Sequence, residues 1–182
     1  MGYGRRPYVP RVHGVASVEQ LTPVVLDVRA LLAVAEPPAG ASAEARRLFR
    51  LERDGPECVW CGAEAGRFTP LSTEHVIPKH HGGISVPENE VNACLFCNSR
   101  RNHTLPLQYL DECCSRGLHP KAAVVLGAVI RLDQVLSGRS DGLYELRRAV
   151  SHQMRRLEGH GRYEIVGNVA LRACSRSTPD SR

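Results

Sequence analysis

Residues 58–62 read CVWCG, residues 73–83 read TEHVIPKHHGG and residues 88–98 read ENEVNACLFCN. The two C-x2-C pairs, Cys58/Cys61 and Cys94/Cys97, are separated by 32 residues. Each pair reads as a knuckle, and Gly62 accommodates the bend of the first. Four thiolates in this spacing meet the tetrahedral demand of a closed structural zinc site. No coordination position is left for a substrate, so this metal should hold structure rather than do chemistry. The gap is longer than a simple zinc ribbon needs, so something is held inside the loop. A segment this small lacks a core of its own, and in short peptides such zinc sites are worth about 10–16 kcal/mol.

Inside the loop, residues 68–77 are rich in apolar and β-branched types and read as a strand. His81-Gly82-Gly83 is a turn, residues 90–94 are a short return strand, and Asn98 to about His103 begins a helix. Outside it the pattern is mostly helical. Residues 18–34 carry roughly helical apolar spacing, 36–40 break it, and Ser42 opens a second helix to about Glu52, stopped by Asp54-Gly55-Pro56. Residues 107–116, 120–136 and 143–157 read as three further helices, and 163–169 as a strand. The two ends of the chain read as poorly ordered. In the third of those helices Leu143, Leu146, Val150, Met154 and Leu157 form an apolar stripe, while Arg147, Arg148, Arg155 and Arg156 occupy the other face. That arrangement leads us to expect the stripe inward and the arginines on nucleic-acid phosphates.

The stretches RDGPECVWCG (53–62), TEHVIPKHHGG (73–83) and ENEVNACLFCNSRRN (88–102) resemble the HNH endonuclease family in its zinc-stabilised four-cysteine form. The resemblance covers residues 50–110, about a third of the chain. It implies an α+β architecture: a small ββα-metal core with the four-Cys zinc site, flanked by helices. The expected organisation is a tail and helical extension over 1–50, a nuclease core over 51–110 and a helical, basic region over 111–182. By the same resemblance His75 is the general base, Glu74 and Asn98 are ligands of a catalytic Mg²⁺ or Mn²⁺, and Asn89 holds the hairpin loop and orients the histidine. The chemistry agrees. A His titrating near neutrality suits proton abstraction from water, and carboxylate and amide oxygens suit a hard cation. Two positions depart from the common pattern: Asn98 stands where the family name has histidine, and Glu74 where aspartate is usual. Asn102 and His103 are rival ligands to Asn98. Lys79, His80, His81, Arg100 and Arg101 are candidate phosphate contacts, and Trp60 is expected to pack in the first knuckle rather than to stack on a base.

The implied activity is hydrolysis of DNA phosphodiesters, leaving a 5′-phosphate, with RNA open as an alternative substrate. The competing reading is a zinc-dependent nucleic-acid-binding module without turnover. Composition frames both. The 182 residues carry a net charge of +5 with a pI of about 9.0, and arginine supplies 22 of the 24 basic residues. The charge is uneven: residues 51–110 hold five basic and seven acidic residues, whereas 139–182 hold nine and five. An acidic core needs its divalent cation to hold a phosphodiester, and general attraction to DNA belongs to the C-terminal part. No apolar run approaches ~18 residues, so no membrane span is expected. With no signal peptide legible, the seven cysteines argue for a reducing, cytoplasmic setting. Cys113, Cys114 and Cys174 read as helix-buried thiols. A homodimer coordinating two cuts is an arrangement the sequence leaves open.

Overall fold

A computed structural model describes residues 24–27, 40–138, 142–160 and 163–166. The elements in chain order are β1 (Val24–Asp27), α1 (Ala43–Asp54), β2 (Leu71–His75), β3 (Glu90–Cys94), α2 (Leu95–Arg101), α3 (Pro106–Ser115), α4 (Ala122–Ser137), α5 (Tyr144–Glu158) and β4 (Tyr163–Val166). The fold is α+β, with β2 and β3 as an antiparallel hairpin and β1 and β4 as a separate parallel pair. Within residues 18–34 the described part is therefore strand, not helix. Val24-Val25-Leu26-Asp27 pairs in register with Tyr163-Glu164-Ile165-Val166. Pairing with a strand far along the chain, not local helical spacing, sets the conformation of that segment. Residues 167–169 and Cys174 lie outside the described residues.

One hydrophobic core runs through the molecule. It joins Val59 and Trp60 of the first knuckle, Val76, Ile77, Val91 and Ala93 of the hairpin, Leu107 and Leu110 of α3, and the apolar faces of α4 and α5. α4 is the central element, buried nearly all round from Val125 to Leu132, which is why its sequence is the most apolar. α5 buries Leu146, Val150, Met154 and Leu157, the stripe expected from the sequence. The helices of 111–182 thus share their interior with the hairpin. No described helix is long and apolar enough to cross a membrane.

α1 packs differently. Ser42 caps it, accepting from the Ala45 N–H at 3.1 Å, and Gly55 ends it at φ 82°. It crosses the expected boundary at residue 50, and its apolar Leu48 is exposed while Arg50 is buried. The seam with the hairpin is ionic. Glu90, on β3 and fully buried, accepts from Arg46 Nε at 3.1 Å and from Arg50 Nη1 at 2.5 Å. Arg50 also donates to Thr73 Oγ1 at 2.8 Å, and Arg53 to the Glu90 carbonyl at 2.6 Å. A buried carboxylate with two guanidiniums is tolerable because nearly every polar atom finds a partner.

Candidate active site

The hairpin register sets the site. Glu74 lies opposite Val91 and His75 opposite Glu90. Strand alternation puts Ser72 and Glu74 on the face covered by α2, and Thr73 and His75 on the face covered by α1. Contacts bear this out: Asn98 of α2 bonds Ser72, and Arg50 of α1 bonds Thr73. At the end of β2 both faces open into one cleft of about 280 Å³, whose lining includes Glu74, His75, Lys79, His80, Asn98 and His103.

Asn89 is fully buried and ties down the loop after β2. Its Oδ1 accepts from the Ile77 N–H at 2.7 Å, and its Nδ2 donates to the carbonyls of Ile77 at 3.1 Å and Ile84 at 2.9 Å. It is not part of the cleft lining, and its side chain is spent on the loop backbone. The loop has no slack. A Cβ on Gly83 would stand 1.8 Å from the Ile77 carbonyl oxygen, and Gly82, at φ 80°, would drive one to 2.8 Å from Glu145 Cβ at the start of α5. Gly83→Ala should therefore destabilise the protein by at least about 2–3 kcal/mol. Urea unfolding measures this, and a midpoint equal to wild type would contradict it.

His75 is half-buried, with Nε2 3.0 Å from Ser85 Oγ. Burial, and then the nearby Lys79 charge, push its pKa below the ordinary 6.5, so the ring is neutral at pH 7. Glu74 is buried and ion-paired to Arg101. Burial outweighs the Arg101 charge and raises its pKa to about 7. Its Oε1 accepts from Arg101, and its buried Oε2 has no hydrogen-bond partner among the described residues. Asn98 spends its Nδ2 on Ser72 Oγ at 2.9 Å and the Thr73 carbonyl at 3.1 Å, which leaves Oδ1 outside those bonds. An orphaned carboxylate oxygen and an amide oxygen facing one cleft fit a hard divalent cation.

The other cluster is the zinc candidate. The Cys58, Cys61, Cys94 and Cys97 sulfurs all lie within 4.8 Å of one another, with Cys61 Sγ 4.0 Å from Cys94 Sγ. The four thiols hydrogen-bond one another, which pulls the Cys94 pKa down and pushes those of Cys58 and Cys97 up, and a bound metal would replace those shared protons. Cys94 also caps α2, its sulfur accepting from the Cys97 N–H at 3.4 Å. α2 consequently starts inside the second knuckle, earlier than the expected Asn98. The opening strand also starts late, at Leu71, because Gly66–Thr69 forms a turn that leaves Phe68 exposed.

The proposed phosphate contacts divide. Lys79 and His80 are exposed at the cleft, where the His80 ring stacks on His103 at 4.6 Å and His81 Nε2 sits 3.0 Å from the His103 carbonyl. Arg100 is exposed on α2. Arg101 is not a phosphate contact: it is fully buried, with Nη1 and Nη2 bonded to Glu74 and two backbone carbonyls. On α5, Arg148 and Arg155 are exposed, Arg147 donates to the Leu136 carbonyl at 2.6 Å, and Arg156 approaches Asp111 at 3.9 Å. Trp60 packs as expected, edge-on to Tyr109 at 5.0 Å. Cys113 is buried and Cys114 partly so. Two residues escaped the sequence reading. No spacing marks Ser85 as the partner of His75, and the Arg100-Arg101 pair gives no sign of which arginine turns inward.

Residues 58–113, just under a third of the chain, match a family model described as HNH endonuclease. No curated protein and no solved structure matches the chain. The matched segment runs from the first cysteine of the four-Cys cluster to the buried thiol of α3 and contains the whole hairpin. That segment is the part of the chain that is similar to the HNH endonuclease family.

Proposed function

We propose that the protein is a metal-dependent DNA endonuclease with His75 as general base. The observation that carries the reading is the convergence of His75, Glu74 and Asn98 on one cleft, with a buried Glu74 oxygen left without a hydrogen bond. His75 is already neutral at pH 7 and can accept a proton from water. In the tautomer that donates its Nε2 proton to Ser85 Oγ, Nδ1 carries the lone pair for that proton. Asn89 keeps the loop rigid, so the ring stays aimed. Glu74 Oε2 and Asn98 Oδ1 would hold the cation, and Mg²⁺ or Mn²⁺ there supplies charge neutralisation at the phosphate and at the departing oxygen. Lys79 and His80 would steady neighbouring phosphates, and Arg148 and Arg155 of α5 offer more distant ones. The four cysteines would carry Zn²⁺ as a structural ion.

The direct test is nicking of a supercoiled plasmid with Mg²⁺ or Mn²⁺, with EDTA as control. Cleavage that EDTA abolishes supports the assignment. Retained DNA binding with no cleavage under either metal would leave a binding module. The pH profile gives a second check. A base must be deprotonated, and the His75 pKa lies below 6.5, so the rate at saturating metal should be flat around pH 7 and fall tenfold per unit only below 6.5. An acid limb centred above pH 7 would point to a different base.

A further inference from the structure

Arg101 is the last residue of α2, one helical turn beyond Asn98, and has no solvent exposure. Its guanidinium lies 4.9 Å over the Trp60 ring, and Trp60 is itself braced by Tyr109. From that platform Nη1 donates to Glu74 Oε1 and to the His75 carbonyl at 2.7 Å, and Nη2 donates to the Val76 carbonyl. One side chain therefore grips the carboxylate and the backbone of both residues that follow it, and it does so from the helix that carries Asn98. A guanidinium bound only to carbonyls would be a staple between helix and strand. This one also fixes the rotation of the carboxylate whose other oxygen, Oε2, is left over.

We propose that Arg101 is a positioning residue of the catalytic-metal site, holding the Glu74 carboxylate and the His75–Val76 backbone at a set distance from Asn98. The proposal rests on the nuclease reading above. It also gives the first zinc knuckle a second task. Trp60 lies between Cys58 and Cys61, so the platform under Arg101 is part of the zinc loop. Arg101 could act in the opposite sense, as a cation competing with the metal for Glu74. The geometry argues against competition, because the arginine occupies one oxygen and leaves the other. The two roles predict opposite signs when the charge is removed.

The test is Mn²⁺ binding by calorimetry to zinc-loaded, full-length wild type, Arg101→Met, Arg101→Lys and His75→Ala, with zinc content and thermal melts as fold controls. Arg101→Met and Arg101→Lys should each bind Mn²⁺ at least about tenfold more weakly, the usual scale for losing a group that orients a metal ligand. The lysine keeps the charge, but its ammonium cannot span the carboxylate and the Val76 carbonyl together. It carries the test alone if the methionine variant does not fold. His75→Ala should bind Mn²⁺ as wild type does while failing to cleave. Fluorescence of Trp60, the only tryptophan, should change in both Arg101 variants before any metal is added. Unchanged or tighter Mn²⁺ binding by a folded Arg101 variant, with wild type binding and cleaving, overturns the positioning role alone. Wild type that neither binds Mn²⁺ nor cleaves overturns the nuclease reading and this proposal with it.

Discussion

Plasmid nicking by the His75→Ala protein is expected to be about 10²–10⁴-fold slower than by wild type at pH 7.5, with Mn²⁺ affinity and melting temperature unchanged. The size follows from the role. A neutral imidazole that takes a proton in the transition state lowers the barrier of the chemical step and contributes little to metal or substrate binding. The selectivity follows from the surroundings. His75 is half-buried at the strand end, and among the described residues its one side-chain hydrogen bond is to Ser85. Removing the ring orphans no buried group, so stability should move by less than about 1 kcal/mol. Single-turnover rates, zinc content and Tm on the same preparation separate these effects. Ser85→Ala should give a smaller loss than His75→Ala, because it frees the ring without removing it. A His75→Ala protein as active as wild type would refute the assigned base.

The second large effect concerns the thiolates. Cys58→Ser or Cys97→Ser, or stripping zinc with a strong chelator, should unfold the protein at 37 °C rather than soften one corner of it. A structural zinc site contributes about 10–16 kcal/mol in small peptides, against a total domain stability of about 5–15 kcal/mol. Two features make the loss global. Cys58 and Cys97 sit in the same buried cluster as Trp60, Tyr109, Val91 and α4. Cys94 also caps α2, so losing the knuckle frays the helix that carries Asn98 and Arg101. Far-UV circular dichroism against temperature, with and without chelator, reads the outcome. A chelated protein with the wild-type melting curve would show that the cluster does not stabilise the fold.

The parts of this molecule legible from sequence are those in which chemistry and spacing coincide. The Cys pairs and the β3 span of residues 90–94 follow from local pattern, because knuckle spacing and strand alternation are short-range constraints, whereas Glu74, His75 and Asn98 are singled out by the resemblance to the HNH family and line one cleft in the structure. The apolar stripe of α5 is legible for the same reason, since 3.6-residue periodicity is local. What escaped is decided by partners distant along the chain. α1 shows Leu48 to solvent and buries Arg50 because Glu90, 40 residues on, supplies the counter-charge. Arg101 turns inward because Trp60 and Glu74 meet it there, while its neighbour Arg100 stays outside. Val24–Asp27 is a strand because its partner lies at Tyr163–Val166, almost at the other end of the chain. Single-sequence spacing carries no information about which charge or which strand will arrive from afar.

The continuous core has a consequence for any attempt to move the HNH-like segment elsewhere. Val76, Ile77 and Val91 of the hairpin share their interior with α4 and α5, Gln153 of α5 accepts from the Leu107 N–H at 3.0 Å, and Gly82 of the loop after β2 rests against Glu145. Cutting the chain at residue 113, where the family match ends, would strip that cover and expose a hydrophobic face beside the cleft. The matched segment is therefore not a portable cassette. A fusion that borrows it must carry everything from α1 through α5, and a target-recognition module should be grafted outside those helices.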